Sequence, residues 1–508
     1  MKISFNILLT LLSSLFYIQT YPANDYPLLV WVALVPLFIA LNNNSYKINT
    51  FLTLIFSATV WLIYLWKPFY DAVFLISNKL FLASILTFLH LFLYMIPFII
   101  MGLIYHKFKS YRILDAIYLA SIFTFFSMYI PKLFTFNMAI SLYNYPLLLQ
   151  TVDISGVSIL LWFIIIINLS IKNIIFLIIE KNIKKDFLLN IGMIISILFF
   201  VLGYGYFSLY SISKKEIKNK ITIATIQPNM GHRLHQMSMI RDNKKSTPYS
   251  HIELTRKALS QNKKIDLIVW PEGGLIVDCD NKAILNKLSN FTKEIKIPLM
   301  YQCNKCKKEG STNRCFNQSR YMGSGGEVES IYNKQNLIPL FEHIPKIAQK
   351  TFIEKEFHNE LIFKKGEDNK IFVNTHSKII PTLCYDAHSN KIIKKGLDLG
   401  GEILIIQSND RIFKKSSIGL FDTAINIVSA ISFRIPMVKS SNSGYGVFLS
   451  SSGEIIKGSM TPLSKRFTSI HTINIQKSFS LYRLYGDWFY LLLCLLSIYI
   501  ILNKFIKR

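Results

Sequence analysis

Apolar residues follow two textures along this chain. Up to about residue 210 they form long runs with few charges; from there to about residue 480 short apolar runs alternate with polar residues, and a last apolar run follows. Eight runs approach the ~20 residues that an α-helix needs to cross hydrocarbon. They lie at 3–20, 26–43, 48–66, 81–105, 113–131, 155–179, 187–208 and 484–503. The expected architecture is a polytopic α-helical membrane domain of about eight spans interrupted by one polar domain. Seven spans fall in 1–210, the polar domain in 215–478, and a C-terminal transmembrane helix in 484–503. Lys2 ahead of a short apolar core resembles a signal peptide, but no small-x-small cleavage site follows. Tyr21 to Pro27 reads instead as a tight turn into the second run, so the first is expected to be retained.

Inside the polar domain the period changes. Ile221–Asn229, Ile265–Trp270, Ile297–Tyr301, Lys378–Cys384 and Ile403–Gln407 read as strands. Helical stretches at His251–Gln261, at 281–294 and in the Lys-rich segment before Ile403 separate them. Near-continuous apolar strands divided by helices predict an α/β domain whose sheet is covered on both faces. Glu272, Cys384 and Asn409-Asp410 lie at the ends of predicted strands and would gather along one sheet edge, where open α/β sheets bind ligands. Gly323-Ser-Gly-Gly326 lies between strand-like stretches and reads as a hairpin turn rather than a phosphate loop.

Composition agrees with this division. Only 17% of the 508 residues are charged and 51% are hydrophobic, with a mean hydropathy of +0.34. A soluble protein carries about a quarter charged residues. Lys2, Lys47, Lys107, Lys109, Arg112, Lys181, Lys184 and Lys185 fall on one side of the predicted spans, joined by Lys504, Lys507 and Arg508. The opposite loops hold Lys67, Lys79 and Lys132. By the positive-inside rule both termini are cytoplasmic and the polar domain is extracytoplasmic, which in a bacterium is the periplasmic side of the inner membrane. The net charge of +27 fits a Lys-, Asn- and Ile-rich coding composition, and would also attract anionic headgroups. Scattered basic residues in an extracytoplasmic domain argue against nucleic acid. Sparse charges within the spans argue against a transporter.

Three segments carry candidate chemistry: Trp270-Pro-Glu-Gly-Gly274, Tyr332-Asn-Lys-Gln-Asn-Leu-Ile-Pro339 and Pro381-Thr-Leu-Cys-Tyr-Asp386. They supply a carboxylate, an ammonium and a thiol. A thiol that attacks an ester must lose its proton to a nearby base, a task suited to Glu272 with a raised pKa. The tetrahedral oxyanion needs a preorganised donor. Lys334 and the backbone N–H of Tyr385 are the candidates, with Glu342 and Asp386 orienting Lys334 or tuning the base.

These segments resemble the Glu-Lys-Cys motifs of the nitrilase superfamily, and the flanking spans narrow the resemblance to its membrane branch, the apolipoprotein N-acyltransferases. Further likeness lies in Gln227-Pro-Asn229, Asn317, Ser408-Asn-Asp410, Ser441–Gly444, Leu481–Asp487 and Pro27–Pro36. The resemblance covers nearly the whole chain and is most specific over 265–450. It implies a nitrilase-like αββα sandwich in 215–478 that needs no cofactor and no metal. It further implies a ping-pong transfer: a phospholipid acyl chain passes to Cys384, then to the α-amino group of the diacylglyceryl-cysteine of an apolipoprotein. Residue by residue, Glu272 corresponds to the base, Lys334 to the oxyanion stabiliser and Cys384 to the nucleophile. Glu342, Tyr385, Asp386 and Asn409 match supporting positions.

Several positions depart from the family pattern. Phe341 stands where a Gly is usual, and would be strained if that position required a positive φ. Asp386 replaces Glu, Ile412 replaces Trp, and Ser432 stands where a Glu is often found. Two alternatives therefore stay open: a membrane-tethered amidase of the nitrilase type, and a catalytically weakened relative that binds lipoproteins. Cys303-x-x-Cys306 with Cys315 and Cys279 allows disulfides, free thiols or a metal knuckle, and Lys305, Lys307 and Lys308 beside them read as a solvated loop. His343 and His388 lie near the motifs but have no counterpart in the family pattern.

Overall fold

The computed structural model describes residues 2–24, 26–108, 111–181, 185–230, 249–261, 264–273, 278–309, 312–346, 349–351, 361–413 and 417–503. Lys109, Lys184, Gly274, Lys504, Lys507 and Arg508 lie outside the described residues, as do the side chains of Lys2, Lys308 and Ile412. Two compact units form. One comprises Met1–Phe74, Asn78–Ser213 and Ser480–Arg508, the other Leu75–Ser77 and Lys214–Phe479.

The first unit is helical: α1 (Lys2–Gln19), α2 (Val35–Ala40), α3 (Tyr46–Val60), α4 (Trp66–Ser77), α5 (Leu80–Ile104), α6 (Ile113–Tyr129), α7 (Val157–Ile179), α8 (Lys185–Ser213) and a C-terminal helix Trp488–Ile501. Among the described residues, four helices are long and apolar enough to cross a membrane: Tyr46–Leu75, Leu80–Lys107, Val157–Ile179 and Lys185–Ser213. That is fewer than the eight spans expected. The run at 48–66 extends to Ser77, because a π-helical turn at Trp61–Leu65 joins α3 to α4 without a break.

The run at 26–43 is not one helix. It divides into a 3-10 turn, Pro27–Trp31, and the short α2, each with a proline in its first turn where no N–H donor is required. A broken helix leaves backbone groups that an apolar interior cannot satisfy. Asn168 of α7 supplies the missing partners: its Oδ1 accepts from Leu34 N at 2.8 Å and its Nδ2 donates to Val30 O at 2.9 Å.

The second unit is a sandwich. Among the described residues, twelve strands form two sheets, one of seven strands and one of five. The first sheet runs β12 (Phe467–Gln476), β1 (Ile217–Gln227), β2 (Leu267–Val269), β3 (Leu299–Glu309), β4 (Thr312–Met322) and β5 (Val328–Asn333), with β6 (Leu361–Phe363) pairing β4. The second runs β11 (Val447–Leu449), β10 (Met437–Ser441), β9 (Ile403–Ser408), β8 (Ser377–Leu383) and β7 (Phe372–Asn374). In each sheet three central strands are parallel: β1, β2 and β3, and β8, β9 and β10.

Period-two alternation fills both faces. Ile221, Ile223, Leu267 and Val269 of the first sheet meet Leu383, Ile403, Ile405 and Val438 of the second in the central core. Their neighbours Ala224, Ile226, Ile268 and Trp270 face outward and are covered by Leu254 and Ala258 of α9 (Tyr249–Gln261) and Leu288 and Phe291 of α10 (Lys282–Ile295). Two more helices follow β8 and β9: α11 (Asn390–Asp398) buries Ile392, Ile393 and Leu397, and α12 (Ile418–Phe433) is apolar and almost wholly buried. Strand β3 continues to Glu309, so Lys305 and Lys307 stand on a strand and not in a loop. The Gly323–Gly326 segment does turn between β4 and β5.

Candidate active site

Each motif residue follows a strand. Glu272 comes after β2, Lys334 after β5, Cys384 after β8 and Asn409 after β9. Glu272 is buried, and its Oε1 accepts from Asn317 Nδ2 at 2.6 Å and from Lys334 Nζ at 3.2 Å. Asn317 on β4 is held in turn by Gln302 of β3, whose Nε2 donates to Asn317 Oδ1 at 2.8 Å and whose Oε1 accepts from Gly273 N at 2.8 Å. Glu272 and Asn317 are therefore fixed by one amide bracket. Gly273 has a φ of 72°, and a Cβ there would run into the side chain of Asn409. The turn after Glu272 thus requires glycine.

Lys334 is 1% exposed, and its Nζ also donates to Glu342 Oε1 at 2.8 Å. Glu342 Oε2 accepts from Ile338 N at 2.8 Å, which fixes the carboxylate against the turn that carries it. Burial disfavours the ammonium, but Glu272 and Glu342 outweigh it and hold Lys334 well above the ordinary lysine range. Burial, reinforced by Glu342, raises the Glu272 carboxyl, while Lys334 and Asn317 restrain it.

Cys384 opens a 3-10 turn, Cys384–His388, with a φ of 48°. A non-glycine residue there carries strain and is held by its surroundings. Its thiol is half-buried, and burial together with the Glu272 charge pushes it well above the ordinary cysteine range, with Lys334 opposing. That direction favours the thiol over the thiolate.

Asp386, expected to orient Lys334 or tune the base, makes no hydrogen bond to the ammonium but its charge favours it. It accepts from Tyr332 Oη at 2.8 Å, Asn336 N at 2.6 Å, Gln335 N at 3.1 Å and Leu383 N at 3.2 Å. It ties the backbone after Lys334 to the backbone before Cys384. The shorter Asp side chain makes all four bonds, and burial raises its pKa to about 6. Tyr385 O accepts from Asn336 Nδ2 at 3.0 Å, and its ring packs against His388 with centroids 5.3 Å apart. Asn409 Oδ1 accepts from Asn442 Nδ2 at 3.2 Å and lies against the Glu272 turn. The positive φ expected near Phe341 falls one residue earlier, on Leu340 at 65°. The strain therefore sits on leucine. Ser432 is buried in α12.

The four outer cysteines form two disulfides, Cys279–Cys303 and Cys306–Cys315, which excludes the free-thiol and metal-knuckle readings. Sequence reasoning missed Gln302 altogether. It also missed a buried ionic cluster of His388, Asp410, Asp422 and Lys439, whose members lie on separate elements with no common motif.

Two family models match the chain. "Carbon-nitrogen hydrolase" matches residues 222–461, which makes the sandwich a member of the nitrilase superfamily. "Apolipoprotein N-acyltransferase N-terminal domain" matches residues 13–170. The chain is 21% identical to Apolipoprotein N-acyltransferase 1 of Treponema denticola, over 99% of this chain and 97% of that one. It is 28% identical to the apolipoprotein N-acyltransferase of Borreliella burgdorferi over 91% of this chain and 88% of that one. A third relative, from Thermotoga maritima, is 22% identical over 94% and 89% of the two chains. The chain belongs to the apolipoprotein N-acyltransferase family.

Proposed function

We propose that this chain moves a fatty acyl group from a phospholipid, through a thioester on Cys384, to the α-amino group of the diacylglyceryl-cysteine of apolipoproteins. In the first half-reaction the Cys384 sulfur attacks the ester carbonyl while Glu272 takes the thiol proton. The tetrahedral oxyanion is stabilised by the Lys334 ammonium and a backbone N–H of the Cys384 turn. Collapse breaks the ester C–O bond, and the leaving lysophospholipid oxygen takes the proton from Glu272. In the second half-reaction a neutral amine attacks the thioester carbonyl, Glu272 accepts the amine proton, and the sulfur leaves and is reprotonated. Glu342 holds Lys334, Asp386 and Tyr385 hold the nucleophile turn, and Asn409 buttresses the Glu272 turn.

The observation that carries this reading is the ion pair of Glu272 and Lys334, at the ends of β2 and β5, with the Cys384 thiol at the end of β8 within their field, in a chain matched by both family models. The amidase alternative leaves the matched N-terminal domain without a task. The reading organises the chain as a membrane domain in 1–210, a catalytic domain in 215–478 and a closing transmembrane helix in 484–503. It places the catalytic domain on the periplasmic side of a bacterial inner membrane. The basic short loops and the two disulfides support that side, because disulfides persist in oxidising compartments. The test is transfer from phospholipid vesicles to a synthetic diacylglyceryl-cysteine peptide. Lipid-dependent N-acylation is expected. Ammonia release from soluble amides with no N-acylation would favour the amidase instead.

A further inference from the structure

Behind Cys384 lies a second buried lysine. Leu383, Gln407 and Ser440 occupy one row across β8, β9 and β10, so Cys384, Ser408 and Ser441 occupy the next. Val438 points into the central core, which turns Lys439 to the opposite face, toward α12. There its Nζ meets Asp410 Oδ2 at 2.6 Å and also Asp422 of α12, with its own side chain 1% exposed. Asp422 Oδ1 accepts from His388 Nε2 at 2.6 Å, and His388 closes the turn that Cys384 opens. Ser408 Oγ and Ser441 Oγ complete the coordination of Asp410, at 2.5 and 3.3 Å.

Such a cluster is poor value for stability alone. Desolvating each ion costs several kcal/mol, and a well-packed apolar substitute is often as stable. Its neighbours on this face, Leu404 and Ile406, are apolar. Resting on the thioester reading above, we infer that Lys439 is a positioning residue for Cys384. It neutralises two carboxylates that otherwise face the thiol, and through Asp422 and His388 it holds the nucleophile turn.

The titratable groups around the thiol are then divided between two sides. Glu272 and Lys334, with Glu342 on the lysine, come from the first sheet, and Asp410 and Asp422, with Lys439 and His388, come from the second. Tyr385 and Asp386 lie within the turn itself. Burial raises Asp422, but Lys439 and His388 outweigh it and hold the carboxyl well below the ordinary range. It stays ionised, and only a nearby cation offsets its field at the sulfur.

The test is alkylation of Cys384 by iodoacetamide across pH, in the full-length protein with Cys494→Ser removing the other free thiol. This readout needs no lipid or acyl transfer, so its failure is distinguishable from failure of the functional reading. Lys439→Met should move the alkylation profile to higher pH and slow the reaction about tenfold at a fixed pH below it. In the transfer assay it should lower kcat with little change in KM. Asp422→Asn keeps the lysine but removes one carboxylate charge, and should move the profile to lower pH. Opposite signs from two substitutions in one cluster are not expected of mere loosening. A folded Lys439→Met with an unshifted profile would overturn the inference, as would Asp422→Asn moving the profile upward or not at all. Should Lys439→Met fail to fold, Asp422→Asn decides alone.

Discussion

Among the described residues of the sandwich, two buried lysines are alike in chemistry and unlike in legibility. Lys334 lies between Glu272 and Glu342, and Lys439 between Asp410 and Asp422. Each is 1% exposed and each carries one more carboxylate than it can neutralise. Their carboxylates differ in what they can do. Glu272 accepts one neutral hydrogen bond, and burial raises its pKa, which makes it the better proton acceptor of the two. Asp422 is held low by Lys439 and His388 and stays charged. On the proposed reading, the first cluster moves a proton and the second stays fixed beside the sulfur that loses it.

Breaking Lys334 should therefore cost most. On the proposed reading, Lys334→Met leaves two buried carboxylates without their cation and removes the oxyanion's stabiliser. The expected loss is on the order of 10³ in kcat, with about 3–5 kcal/mol of stability, read by urea unfolding. Lys439→Met should cost far less in kcat, with the alkylation shift described above. Asn317→Ala removes a bond that favours ionised Glu272, so its pKa rises further. Since the base acts deprotonated, the acidic limb of the pH–rate profile should move to higher pH, with roughly a tenfold loss below it. The two disulfides give the finest comparison. Cys303 adjoins Gln302, which holds both Asn317 and the Gly273 turn. The Cys279→Ser/Cys303→Ser protein should lose activity by about threefold to tenfold. Cys306→Ser/Cys315→Ser, farther along the hairpin, should lose only stability, about 2 kcal/mol by thermal unfolding.

Local patterns made much of this molecule readable. Strand periodicity placed β1, β2, β8 and β9, and motifs at their ends placed Glu272 and Cys384, because strand and nucleophile are adjacent in sequence. Asp386 was found but its bonds were not: nothing local says whether a carboxylate two residues from a thiol bonds an ammonium or four backbone and side-chain donors. Lys439 and Asp422 were invisible, since residues on β10 and α12 meet only when the parallel row forms. In the helical unit, hydropathy identified apolar runs, one of which is not a continuous helix. The run at 26–43 is broken by two prolines and rescued by Asn168, more than a hundred residues away. Such partners are set by packing.

Intact-mass analysis of the purified protein after incubation with phospholipid vesicles tests the central claim most directly. The account expects one acyl adduct on Cys384, released by hydroxylamine, discharged by a diacylglyceryl-cysteine peptide and missing from Cys384→Ala. A folded wild-type protein that gains no acyl mass, or carries it on a residue other than Cys384, would contradict it.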